Sequence, residues 1–153
     1  PIKNPPMVGF FILWYNKFSI SNILLTGKNF SQRKNKTSLN IEPLIRTINY
    51  NSVEGAVINL APVWFKEFEG RKSISITPVL RYGFVNNRFN PSISTNYTFG
   101  KKYLQSINIS GGKKVFQFNN ASPINEVINT YYTLTRSQNF MKIYEADFFR
   151  LNY

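Results

Sequence analysis

Lys72-Ser-Ile-Ser-Ile-Thr-Pro-Val-Leu-Arg-Tyr-Gly-Phe84 sorts its residues in twos. Ile74, Ile76, Pro78, Leu80, Tyr82 and Phe84 fall on one side, and Ser73, Ser75, Thr77, Val79, Arg81 and Gly83 on the other. Successive side chains on a strand point to opposite faces, so this is a strand with one apolar and one mostly polar face. A helix cannot separate these residues so cleanly. The stretch is as long as a tilted strand needs to be to cross a bilayer, about 9–11 residues. The fold class turns on what the apolar face meets, a protein core or lipid.

Outward from this strand the pattern repeats. Val85-Asn86-Asn87-Arg88 reads as a hairpin turn, because Asn tolerates the positive φ of a tight turn. Phe89 to Phe99 returns, Gly100-Lys101-Lys102 turns again, and Tyr103 to Ser110 alternates. Gly111-Gly112 marks a bend or bulge, and Val115 to Phe118 continues the line. On the other side Gly55 to Lys66 and Leu39 to Tyr50 read as strands, with turns at 49–52 and 67–71. Residues 27–36 read as a basic loop. Val8 to Phe18 reads as an apolar strand with Ser19 to Thr26 as its partner, and residues 1–7, rich in Pro, as extended or disordered. Near the end, Ser122 as N-cap and Pro123 at the first helical position open a helix over 122–136. Ile124, Val127, Ile128, Tyr131 and Leu134 share one face of it. Met141 to Tyr153 is the last strand. The expectation is an all-β antiparallel meander of seven or eight long strands with one short helix, a single unit cut from a longer chain.

Composition narrows the chemistry. The 153 residues contain no Cys and no His. That excludes Cys nucleophiles, Ser-His and Cys-His pairs, Cys/His zinc sites and a disulfide scaffold. There are seven carboxylates, so acid–base chemistry has few candidates. The net charge of +12 favours anionic partners: nucleic acid, acidic lipid headgroups or lipopolysaccharide phosphates. The basic residues recur at the gaps between strands (Arg33-Lys34 with Lys36, Arg71-Lys72, Lys101-Lys102, Lys113-Lys114), so they read as loop charges and not as one groove. No run of about 18 apolar residues is present.

Two all-β architectures compete. In a soluble sandwich the apolar face packs on a second sheet; in an outer-membrane barrel it meets lipid, and the polar face lines the lumen. The strands are long against a usual 5–6 residues. Their polar faces carry Ser, Thr, Asn and Arg81 rather than Lys and Glu. Trp64, Phe65, Tyr82, Phe84, Phe89, Tyr97, Phe99 and Tyr103 sit near strand ends, like the aromatic girdles of membrane barrels. Pro43, Pro62 and Pro78 argue against, since each falls inside an expected strand and cannot donate to a ladder.

Four motifs carry a family resemblance: Asn49-Tyr-Asn-Ser-Val-Glu-Gly55; Thr77-Pro-Val-Leu-Arg-Tyr-Gly-Phe84 with Asn87-Arg88-Phe89; Gly111-Gly-Lys-Lys-Val-Phe-Gln-Phe-Asn-Asn120 with Pro123-Ile124; and Asn139-Phe-Met-Lys-Ile-Tyr-Glu145. In order and spacing, over residues 40–153, they resemble a bacterial family of unknown function. In that family a carboxypeptidase-regulatory-like domain precedes a large outer-membrane β-barrel. The resemblance implies a bacterial outer-membrane location and a chain that is one segment of a bigger barrel. It transfers no catalytic residues.

The expected function is therefore a non-enzymatic barrel segment, acting in transport, envelope assembly or the anchoring of an upstream domain. Membrane lipid and lipopolysaccharide are its expected partners, with other outer-membrane or periplasmic proteins and no nucleic acid. No cofactor or metal is expected. A soluble sheet that binds polyanions or glycans is the alternative, and a hydrolase using Glu145 and Asp147 the weakest reading. The candidate charge network of the lumen is Arg81, Arg46, Glu145, Asp147 and Glu54. Glu145 and Asp147, two apart, share a face and are expected to pair with Arg46 or Arg81. Glu54 is either a turn carboxylate or a charge pair that orders a loop or the lumen.

Overall fold

Small polar residues alternating with β-branched and aromatic ones suit a pleated, two-sided surface. From residue 28 onward the chain is mostly strand. The computed structural model describes residues 25–100 and 102–153. The readings made for residues 1–24 lie outside the described residues. Nine strands form one antiparallel sheet: β1 (Lys28–Gln32), β2 (Thr37–Ile41), β3 (Ile48–Asn51), β4 (Gly55–Leu60), β5 (Val63–Phe68), β6 (Lys72–Gly83), β7 (Arg88–Phe99), β8 (Gln105–Gln117) and β9 (Ile143–Asn152). A helical turn, α1 (Leu44–Thr47), and a longer helix, α2 (Glu126–Arg136), interrupt them. The sheet order is β1-β2-β5-β6-β7-β8-β9, with β3 paired to β4 and β4 to β6. The sheet is open and does not close into a barrel within this segment. Among the described residues no helix is long and apolar enough to cross a membrane.

Six of the expected strands fall within the described residues; two of them are each broken in two and β1 is added, which makes nine. β4 and β5 both pair with β6, at Leu60↔Leu80 and at Trp64↔Ile76. The step between these pairs is four residues on each strand, so Pro62 stands opposite Pro78. Neither has an N–H to give, and the ladder pauses there. β2 and β3 are likewise one line, pairing with β5 and β4, with Pro43 and α1 inserted between them. Pro43 and Pro62 therefore sit where ladders stop, and Pro78 faces the pause on one side while the β6–β7 ladder runs through it on the other. Pro91 is a fourth case: it pairs with Leu80 of β6, while the β7–β8 ladder begins only at Ser92↔Gly112. The stretch read as a basic loop, 27–36, instead supplies β1, held by five pairs to β2. The strand expected from Tyr103 and its continuation from Val115 form a single strand, β8, that begins at Gln105.

Cross-strand register sorts the faces over the whole width of the sheet. One row runs Phe30, Leu39, Trp64, Ile76, Thr95, Ile109, Leu151. The next runs Ser31, Ser38, Phe65, Ser75, Asn96, Asn108, Asn152. The first is apolar but for Thr95 and the second polar but for Phe65. Burial is inverted relative to a water-soluble core. Among the described residues the buried apolar side chains are Val57 and Met141, whereas Thr47, Asn49, Asn51, Glu54, Arg81, Asn90, Asn129 and Thr133 are buried and polar. Ile93, Ile109, Phe149 and Leu151 on the apolar face are 47–76% exposed.

Helix α2 begins at Glu126, not at Ser122. Ser122-Pro123 looks like a start signal, but Gln117 ties the segment down first. Its amide nitrogen donates to the Ile124 carbonyl at 2.8 Å, and the Ile124 N–H donates to its amide oxygen at 2.8 Å. Asn125 is the N-cap, with Oδ1 accepting from the N–H groups of Val127 and Ile128. Losing this cap costs about 1 kcal/mol. Asn125→Ala should therefore lower stability by that amount and raise amide exchange at Val127 and Ile128, while Ser122→Ala changes neither. The helix too is inverted: Val127, Ile128, Tyr131 and Leu134 are exposed, and Asn129 and Thr133 are buried.

Candidate functional site

The buried polar residues gather at one end of the sheet, where the β3–β4 and β6–β7 turns meet α2. The β3–β4 turn is built by Asn51. Its Oδ1 accepts from the N–H groups of Val53 and Glu54 at 3.0 and 2.8 Å, and its Nδ2 donates to Glu54 Oε2 at 2.9 Å. That turn is bonded to the neighbouring one: Val85 N–H donates to the Glu54 carbonyl at 2.8 Å and Phe84 N–H to the Ala56 carbonyl at 3.0 Å. Between them lies Gly83, next to Arg81 on the same face. A Cβ at Gly83 would fall 2.9 Å from Glu54 Cβ and 2.4 Å from Asn86 Oδ1. The bare glycine lets Glu54 lie over the sheet and reach Arg81.

Arg81 and Glu54 form a bidentate pair. Arg81 Nε donates to Oε1 at 3.0 Å and Nη2 to Oε2 at 2.7 Å. The residues are 6% and 1% exposed. Arg81 Nη1 turns the other way and donates to both oxygens of Glu126, at 3.1 and 3.3 Å. Glu126 sits in the first turn of α2, where the helix dipole favours a carboxylate. Asn49 Nδ2 donates to Glu126 Oε2 at 2.9 Å. Thr130, one turn further along α2, accepts the Tyr50 N–H of β3 at 2.9 Å and donates to the Glu126 carbonyl at 2.8 Å. Deeper in the helix, Asn129 Oδ1 accepts from Phe140 N–H and Met141 N–H, and its Nδ2 donates to Asn139 Oδ1. One guanidinium thus joins two hairpin turns and a helix. It is flanked across the ladder by Asn59 and Asn90. Asn90 is 1% exposed and neither of its amide atoms bonds to protein; Asn59 Oδ1 and Asn49 Oδ1 are also unpartnered.

Of the five residues expected to form a network, the structure brings Arg81 and Glu54 together and leaves three apart. Arg46 lies in α1 and is exposed, and its carbonyl is bonded by Asn49 Nδ2 of the cluster. It shares with Glu126 the wall of an open groove of about 630 Å³. Glu145 and Asp147 do not pair with Arg81. They share a face of β9 with Phe149 and Leu151, and their ladder partners are Val115 and Lys113. Phe149 pairs with Gly111, Gly111 with Ile93 and Ile93 with Pro78, which places both carboxylates on the face opposite Arg81. Glu145 instead lies 3.8 Å from Lys113 Nζ, a part-exposed pair worth about 0–1 kcal/mol. Glu126 was missed. Its signal, an acid in a first helical turn, was hidden because the helix was expected to begin four residues early.

Both carboxylate oxygens of Glu54 are held by Arg81 or Asn51 and the pair is shut away from solvent, so the arrangement clamps the turns together. Among the described residues no group of three or more carboxylates gathers to hold a metal ion.

These features define an all-β protein: an open antiparallel sheet with a buried charge clamp on its polar face. Residues 21–153 match the C-terminal domain of the family of unknown function DUF5686, and the chain belongs to that family. The match begins 28 residues before the first of the motifs that carry the resemblance, at Asn49. Searches of curated proteins and of solved structures return no match.

Proposed function

We propose that this chain is a non-enzymatic segment of the wall of a bacterial outer-membrane β-barrel, serving transport, envelope assembly or the anchoring of an upstream carboxypeptidase-regulatory-like domain. The observation that carries this reading is the inverted burial: large apolar side chains on one face are exposed, while most of the buried side chains, the charge clamp among them, are polar. A contiguous apolar face larger than a few hundred Å² marks a membrane or a protein partner. Strand length supports lipid. The 12 residues of β6 span about 40 Å at about 3.3 Å each, or about 30 Å along the normal at a barrel-like tilt, enough for an apolar band of about 25 Å. Membrane lipid, lipopolysaccharide and other envelope proteins are the partners this reading implies. The basic turns favour the alternative, a soluble sheet that binds polyanions or glycans, but that reading leaves the apolar rows uncovered.

Cell fractionation of the full-length protein, with gel mobility compared before and after boiling, separates the two. Recovery in the outer membrane with a heat-dependent mobility shift is the expected result. A soluble protein whose mobility ignores boiling would sink the barrel. Within the barrel, Ile109→Arg on the apolar face should cost about 2–4 kcal/mol in a lipid-embedded unfolding measurement. Asn108→Arg, one residue away on the polar face, should cost well under half of that.

A further inference from the structure

A plain meander sends alternate turns to opposite ends of its sheet. The 33–36 and 69–71 turns and residues 102–104, between β7 and β8, all lie at the end away from the Arg81 clamp. Arg33, Lys34 and Lys36 come from the first, Arg71 and Lys72 from the second and Lys102 from the third, all on exposed residues. In sequence these cations are separate loop charges; the pairing of the strands makes them one end. Glu67 and Glu69 are the acids beside them. Exposed apolar groups are mixed in: Tyr103 is 72% and Leu104 63% exposed, and Phe68 39%. Lys66 Nζ stands 5.1 Å from the Phe68 ring centre and Lys102 Nζ 5.6 Å from that of Tyr103. Cations interleaved with amphipathic rings match a phosphate-bearing lipid interface, where rings sit at headgroup level and each Lys or Arg gains from the negative surface.

We infer that this end of the sheet is a seat for anionic phospholipid headgroups, an inference that rests on the barrel reading above. The turns here are short, as on the periplasmic side of such barrels, while the long connection from β8 to β9 that carries α2 lies at the other end. Phospholipid, rather than lipopolysaccharide, is therefore the occupant.

The test uses the full-length protein in bilayers of phosphatidylcholine and phosphatidylglycerol, with spin-labelled lipids reporting which species lines the protein. The wild type should select phosphatidylglycerol by about threefold, with the preference lost in 1 M salt. The variant K34Q/K36Q/R71Q/K72Q/K102Q, with its heat-dependent mobility intact, should select neither lipid. No selectivity in the wild type, full selectivity in the variant, or a stronger preference for lipopolysaccharide overturns the seat. Should the protein prove soluble, the barrel reading fails separately. The same variant is then compared by flotation on phosphatidylglycerol vesicles. Flotation that depends on the five cations supports the seat; unchanged flotation, or binding to polyuridylate in preference to vesicles, overturns it.

Discussion

Arg81→Ala is expected to lower the unfolding free energy by about 3–5 kcal/mol, because it strands a carboxylate in a site shut off from water. Glu54 is 1% exposed; among the described residues Arg81 is the cation paired with its carboxylate, and the other bond to that carboxylate comes from Asn51. Glu54→Ala should cost as much, by stranding Arg81, though Glu126 still holds one side of the guanidinium. Glu126→Ala should cost less, since its side chain is 34% exposed and hydrated already. The three losses should not add: in a cycle combining Arg81→Met with Glu54→Leu, the double variant should recover much of what each single one loses, because no charge is left buried. Urea unfolding of the full-length protein in detergent, followed by the heat-dependent band shift, reads the three alanine variants, the double variant and the two single variants of its cycle. A loss below about 1 kcal/mol for Arg81→Ala would show that the clamp does not hold the turns and the helix together.

Gly112→Ala should be the most damaging small substitution in the sheet, at about 3–4 kcal/mol. Gly112 has φ +127, a conformation that residues with a Cβ rarely adopt. Its added Cβ would lie 2.5 Å from the Pro91 carbonyl oxygen and 2.7 Å from Ser92 Cα. Both are backbone atoms and cannot swing aside, so the strands must part where the β7–β8 ladder begins. Ser110→Ala, two positions along the same strand, should change stability by less than about 0.5 kcal/mol. The same unfolding measurement compares them, and equal stability of the two variants would contradict the close approach.

Much of the fold was legible because its signals are local. The period-two alternation of 72–83 needs no partner to be read, and Asn86-Asn87 announces its turn, with Asn87 at φ 52. What was illegible depends on contacts distant in the chain. Pro62 and Pro78 look like two defects until register sets them face to face. Lys28–Gln32 looks like a basic loop until β2 pairs with it. Glu145 and Asp147 cannot be assigned to a face until β9 is aligned with β8, and that alignment sends them away from Arg81. Ser122-Pro123 carries a stronger local start signal than Asn125, but the bonds from Gln117 hold the chain out of the helix there, and with that shift Glu126 becomes the residue that reaches Arg81.

The two-faced strand is the centre of the account, and its surroundings can be measured directly. The 153 residues contain no Cys, so single cysteines can be introduced along β6 of the full-length protein, with any cysteine elsewhere removed. Spin labels at 73, 74, 75, 76, 77 and 80, in the outer membrane, report their collisions with oxygen in lipid and with a water-soluble nickel chelate. Oxygen-accessible labels are expected at 74, 76 and 80 and chelate-accessible labels at 73, 75 and 77. Chelate access at all six positions, with no alternation, would contradict this.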